Sequence, residues 1–107
     1  MNIEWSDYAR SHYRKIIFDI AFALSAEDAF RWESKLDDAV APLADFPDCG
    51  QKARENEFLY LPEHFERLRT ITCDPYVILY EHVDDECHIL DIHHGRQLFD
   101  GRFTYWR

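Results

Sequence analysis

The sequence lacks the cysteines for a disulfide framework. Its three, Cys49, Cys73 and Cys87, are an odd number with no Cys-x-x-Cys spacing, a pattern that suits free thiols in a reducing compartment. It also lacks any apolar run near the roughly 18 residues that span a bilayer. Met1-Asn2-Ile3-Glu4-Trp5 does not have the basic-then-apolar layout of a secretory leader. The expectation is a cytoplasmic protein with no membrane partner. Positive charge is scarce too: 12 Lys and Arg stand against 21 Asp and Glu, a net charge of −9. Nucleic-acid binding draws much of its affinity from cations that displace phosphate counterions, so broad, sequence-independent contact with RNA or DNA is not expected.

What is present is the material for a packed core. Hydrophobic residues make up 47% and aromatics 16% of 107 residues, which disfavours disorder and suits a single domain over 1–107, with 98–107 as a C-terminal tail. Asn2-Ile3-Glu4-Trp5 alternates in polarity ahead of Ser6-Asp7, so it reads as a brief strand entering a capped helix. Trp5, Ala9, His12, Ile16, Ile20 and Ala23 then recur at three- and four-residue spacing, one buried face of a helix to about Leu24. Ser25-Ala26-Glu27-Asp28 opens a second helix with a hydroxyl cap and two carboxylates. Its stripe is Ala29, Trp32, Leu36, Ala39, Val40 and Leu43, and it ends before Pro47. The short Leu24-Ser25 connection predicts an antiparallel helical hairpin.

Pro47-Asp48-Cys49-Gly50 breaks the chain, and Gln51 to Phe65 reads as a long loop with an edge strand at Phe58-Leu59-Tyr60-Leu61. The period then becomes two, with strands over Glu66–Cys73, Tyr76–His82 and Glu86–His94 and corners at Asp74-Pro75 and Val83-Asp84-Asp85. Pairing His82 with Cys87 sets Tyr80 opposite Ile89, Ile78 opposite Asp91 and Tyr76 opposite His93. The remaining face, Val77, Leu79, Leu90 and Ile92, is wholly apolar and is expected to pack on the helices with Leu68. Arg67 and Arg69 then join the tyrosines, Asp91 and His93 on a free face. The fold class is α+β: an N-terminal helical hairpin on a small, mainly antiparallel twisted sheet, with the first strand at its edge.

Ala41-Pro42-Leu43 through Phe46-Pro47, Arg67-Leu68-Arg69, Tyr76-Val77-Ile78-Leu79-Tyr80 and Ile89-Leu90-Asp91-Ile92-His93-His94-Gly95-Arg96-Gln97, in that order, resemble the ParE/RelE toxins of type II toxin–antitoxin systems over about Ile3 to Gln97. The resemblance implies growth inhibition and a cognate antitoxin as partner. RelE-type members cleave messenger RNA on the ribosome, whereas ParE-type members bind DNA gyrase without hydrolytic activity. Val77 stands where the nucleases commonly carry arginine, and Ile92–Gln97 resembles the His-Gly-Arg-Arg ending of ParE-like toxins, with Gln97 in place of the second arginine. The ParE side is favoured, with gyrase or another essential complex as target. The nuclease remains the alternative, and a non-toxic binding module of the same fold is a further one.

On this reading Arg67, Arg69, Tyr76, His94 and Arg96 are the candidate target-binding residues. Arg67, Arg69, His94 and Arg96 would be catalytic if the chain were a nuclease. Tyr8, Tyr13, Phe18, Phe22 and Phe30 lie off or beside the apolar helix stripe, a surplus of aromatics that suggests an exposed groove for an antitoxin segment. Arg102, Tyr105 and Arg107 make the tail a further contact candidate. His82, His88, His93, His94, Cys73 and Cys87 suggest a metal cluster, but only His82 and Cys87 face one another on this register, short of the three or four ligands that zinc takes. No metal or cofactor is expected.

Overall fold

The computed structural model describes residues 1–102; Tyr105 and Arg107 lie outside the described residues. Strand β1 (Asn2–Trp5) passes into α1 (Asp7–Ala23) at Ser6, whose hydroxyl accepts the Ala9 N–H at 3.0 Å. Ser25 caps α2 (Ala26–Val40) likewise, accepting from the Asp28 N–H at 3.0 Å. Each cap satisfies an N–H that has no partner inside the helix. With two residues between them, the helices pack as a hairpin. A 3₁₀ turn over Ala41–Ala44 ends α2 ahead of Pro47. Four strands follow: β2 (Gln51–Lys52), β3 (Leu68–Cys73), β4 (Tyr76–Val83) and β5 (Glu86–His94). The sheet order is β1-β5-β4-β3-β2, with β1 parallel to β5 and every other pair antiparallel.

The sheet departs from the sequence reading in two ways. His82 does pair with Cys87 and Tyr80 with Ile89, but a bulge at Leu90 then shifts the register. Leu79 lies opposite Asp91, Ile78 opposite Ile92, Val77 opposite His93 and Tyr76 opposite His94. One inserted residue exchanges the sides of everything beyond it, so Ile92 joins Ile78 while His93 leaves the tyrosine face. Secondly, the face under the helices is the one carrying Tyr80, Ile78 and Ile89, which pack with Ala9, Leu36, Val40, Leu43 and Ile92. Val77, Leu79, Leu90 and Leu68 do share a face, but it packs under Ala53, Phe58, Phe65 and Phe99 as a second core. The tyrosine face is therefore not free.

Two further elements differ. The edge strand is Gln51–Lys52, whereas Phe58 makes only a single bridge, to Phe99. The chain after β5 is part of the fold: Phe99 is buried, its N–H donates to the Glu57 carbonyl at 2.9 Å and its carbonyl accepts the Leu59 N–H at 2.8 Å. Pro62 excludes a central strand there but leaves this cross-chain clasp available.

Tyr80 is fully buried because its hydroxyl is satisfied: it donates to the Pro47 carbonyl at 2.8 Å and accepts the Gly50 N–H at 3.0 Å. Burial pushes its pKa up to about 12. These two bonds fasten the Pro47–Gly50 corner to the sheet, and Gly50 is required there. A Cβ on it would lie 2.7 Å from both the Thr70 carbonyl oxygen and the Tyr80 hydroxyl. Tyr80→Phe leaves a half-buried N–H and carbonyl without this partner and is expected to lower stability by about 1–3 kcal/mol, measured by urea unfolding; an unchanged midpoint would refute the clasp.

Candidate functional site

Strand β1 pairs with β5 only as far as Ile89. Beyond it, Ser6 closes the ladder by donating its N–H to the Ile89 carbonyl at 3.0 Å and its hydroxyl to the Leu90 carbonyl at 3.2 Å. From Asp91 to His94 the strand faces α1 across an open cleft of about 780 Å³. Ile16, Ile20, Ala23 and Leu24 line one wall, Leu59 and Leu98 the other, and Tyr8 and Tyr76 also border it. A concave, largely apolar space with a few convergent polar groups is the usual form of a binding site.

Those polar groups centre on His12 and Asp91. Asp91 lies opposite Leu79, past the end of β1, and its Oδ1 reaches α1, 2.7 Å from His12 Nδ1, while also accepting the Ile92 N–H at 2.7 Å. The aspartate side chain is 2% exposed and that of His12 is 37% exposed. Tyr8 lies over the imidazole, ring centroids 4.3 Å apart. Burial raises the Asp91 pKa to about 6, against the opposing pull of His12 and the Ile92 N–H. Beside it, His93 is buried and stacks on Phe99 at 3.8 Å, with neither ring nitrogen hydrogen-bonded. Burial holds its pKa below the usual histidine value, so it is neutral at pH 7.

Because the folded pKa of Asp91 lies above its ordinary value of 3.8, the fold prefers the protonated carboxyl. That contribution is fully present below about pH 4 and is lost as pH rises through about 6. Asp91→Asn removes the titration. Its stability relative to the parent chain is expected to rise by about 2–3 kcal/mol from pH 4 to pH 7, the equivalent of about two pH units. Urea midpoints at the two pH values measure it, and a constant difference would contradict the burial of the charge.

The arginines do not converge. Arg69 donates to the Asp48 and Gly50 carbonyls at 3.2 and 2.8 Å, holding the same corner as Tyr80. Arg67 is exposed in the 3₁₀ turn Phe65–Arg67. Arg96 is exposed past the end of β5, where its N–H donates to His94 Nδ1 at 3.1 Å. Arg69 pairs with Tyr80 and His94 with Tyr76, so the two ends are separated by four residues of β4, about 13 Å. Tyr76 and His94 do meet, edge to face at 6.1 Å, at the Arg96 end of the cleft.

The aromatics also divide. Tyr8 borders the cleft, while Tyr13 turns toward α2, its ring 5.2 Å from Trp5 and its hydroxyl donating to Asp37 at 3.3 Å. Phe18 and Phe22 stack at 6.5 Å on the flank of α1, 67% and 86% exposed. At about 100° per residue they follow the Lys15–Asp19 pair around the helix from the cleft. Phe30 is exposed on α2. His12 and Asp91 were missed as a pair in the sequence because they stand 79 residues apart and nothing local to either marks the contact.

Over residues 3–99 the chain matches the family model described as "ParE toxin of type II toxin-antitoxin system, parDE". No curated protein matches the sequence. Among solved structures, a chain of the "Chromosomal ParDE TA system from P. aeruginosa" superposes with a TM-score of 0.67 at 19% identity, covering 88% of this chain and 95% of that one. That likeness is one of fold.

Proposed function

Since the chain belongs to the ParE toxins of type II toxin–antitoxin systems, we propose that it arrests growth by binding an essential protein complex, DNA gyrase first among the candidates, and that a cognate antitoxin seated along α1 neutralises it. The observation that supports a binding toxin over a nuclease is the separation of its cations. Cleavage of RNA needs a base, an acid and a cation gathered around one phosphate, yet Arg69 is held by Asp48 and Gly50 while Arg96 stands at the far end of β4. Val77 occupies the second core instead of offering charge. The exposed Arg96, with His94 and Tyr76 beside it, is the best-placed target contact.

The antitoxin's seat in this reading is the apolar cleft together with the aromatic flank at Phe18 and Phe22. With a surface carrying a net charge of −9, a partner with basic residues around an apolar stripe would complement it. Purified chain is expected to inhibit DNA supercoiling by gyrase and to leave translated messages uncut. Arg96→Ala is expected to weaken inhibition at least tenfold without shifting the unfolding midpoint. Cuts in ribosome-bound messages, with supercoiling unaffected, would overturn the binding mechanism.

A further inference from the structure

The His12–Asp91 pair has a geometry that the binding of a protein target does not explain. A carboxylate that is 2% exposed lies at the floor of the cleft, 2.7 Å from an imidazole that still meets solvent. We propose that the cleft takes its occupant together with one proton, shared between His12 and Asp91. This rests on the reading of the cleft as the antitoxin's seat and concerns the regulation of that seat.

The pair has three protonation states. With two titratable protons it is an imidazolium beside a carboxylic acid, net +1; with one it is neutral overall; with none it is an imidazole beside a carboxylate, net −1. An apolar segment laid over Tyr8, Ile16 and Ile20 removes the water that reaches His12, and desolvation penalises the two charged states against the neutral one. The covered pair therefore keeps one proton over a wider pH range than the open pair.

No neighbouring group takes over that task. On α1, Lys15 and Asp19 neutralise one another at 2.9 Å, and Tyr8 has its pKa raised by burial and by Asp91. On β5, His93 is kept neutral by burial, while His94 accepts the Arg96 N–H at the rim. On β4, burial raises Tyr76. In the segment after β5, Asp100 is held charged by Arg102, which donates to it at 2.8 and 3.0 Å. Glu57 acts on His93 from the other side of the sheet.

The consequence is an affinity that peaks near neutral pH. On the alkaline side binding takes up a proton, and the affinity falls by up to about tenfold per pH unit. On the acid side, below about 6, where Asp91 protonates in the open cleft, binding releases one. The probe is the full-length protein encoded by the reading frame adjoining this chain's own. Titration calorimetry at pH 8.5, in buffers of different ionisation enthalpy, is expected to show close to one proton taken up per complex. The double variant His12→Gln/Asp91→Asn, which has neither titrating group, is expected to bind with close to none and with an affinity flat from pH 7 to 9. Binding by the parent chain without proton uptake, or uptake that survives both substitutions, would overturn the linkage and leave the antitoxin reading standing. No binding at any pH would overturn both.

Discussion

A Phe22→Asp/Leu24→Asp variant is expected to arrest growth even when its antitoxin is present. The two side chains close α1, 86% and 68% exposed, and Leu24 lines the mouth of the cleft. Because neither contributes to the core, the substitution leaves the fold intact. An apolar anchor at the centre of an interface contributes about 2 kcal/mol or more. Placing a carboxylate beneath an apolar partner adds its desolvation. Together they are expected to weaken the complex by about 100- to 1,000-fold, read by titration calorimetry and by failure of the antitoxin to restore growth. Arg96, the proposed target contact, is not substituted in this variant. Full rescue of the variant would place the antitoxin elsewhere.

Phe99→Ala is expected to have the largest effect on the fold. Phe99 is 1% exposed and meets Phe58 at 5.4 Å and His93 at 3.8 Å, ring centroid to ring centroid. Removing a buried phenylalanine side chain costs about 3–5 kcal/mol, a large part of the 5–15 kcal/mol that keeps an ordinary domain folded. Its main chain clasps Glu57 and Leu59, so the loop above the second core is expected to loosen with it. Hydrogen exchange at the Leu59 and Phe99 amides, alongside urea unfolding, separates local from global loss. A variant that unfolds at the parent's urea midpoint would show that the segment only decorates the sheet.

These expectations also mark where the sequence was readable. The helices were legible because their punctuation is local: Ser6 and Ser25 cap as their positions suggest, and the apolar stripe at Ala29, Leu36, Val40 and Leu43 is the buried one. The β4–β5 hairpin was legible for the same reason, since Asp84 adopts a positive φ of 53° in the turn, a conformation aspartate tolerates. The facing of the sheet was not. Both faces of β4 are apolar, so alternation alone could not tell which lies under the helices, and Tyr80 looked like a surface residue until the Pro47 carbonyl and Gly50 N–H were there to satisfy it. The Leu90 bulge carries no local signal, and the His12–Asp91 contact spans 79 residues. Of the candidate aromatics, Phe18, Phe22 and Phe30 stand exposed, while the acid–base pair at the floor of the cleft needed the tertiary placement of α1 beside β5.

The central claim, that this ParE-family chain is a growth-arresting toxin held in check by a partner, is tested most directly by induced expression. Colony counts and optical density would be followed with the chain alone and with the adjoining reading frame co-expressed. The account predicts arrest within a few generations for the chain alone and restored growth when the partner is present. Undiminished growth with the folded chain accumulating in the cell would contradict it.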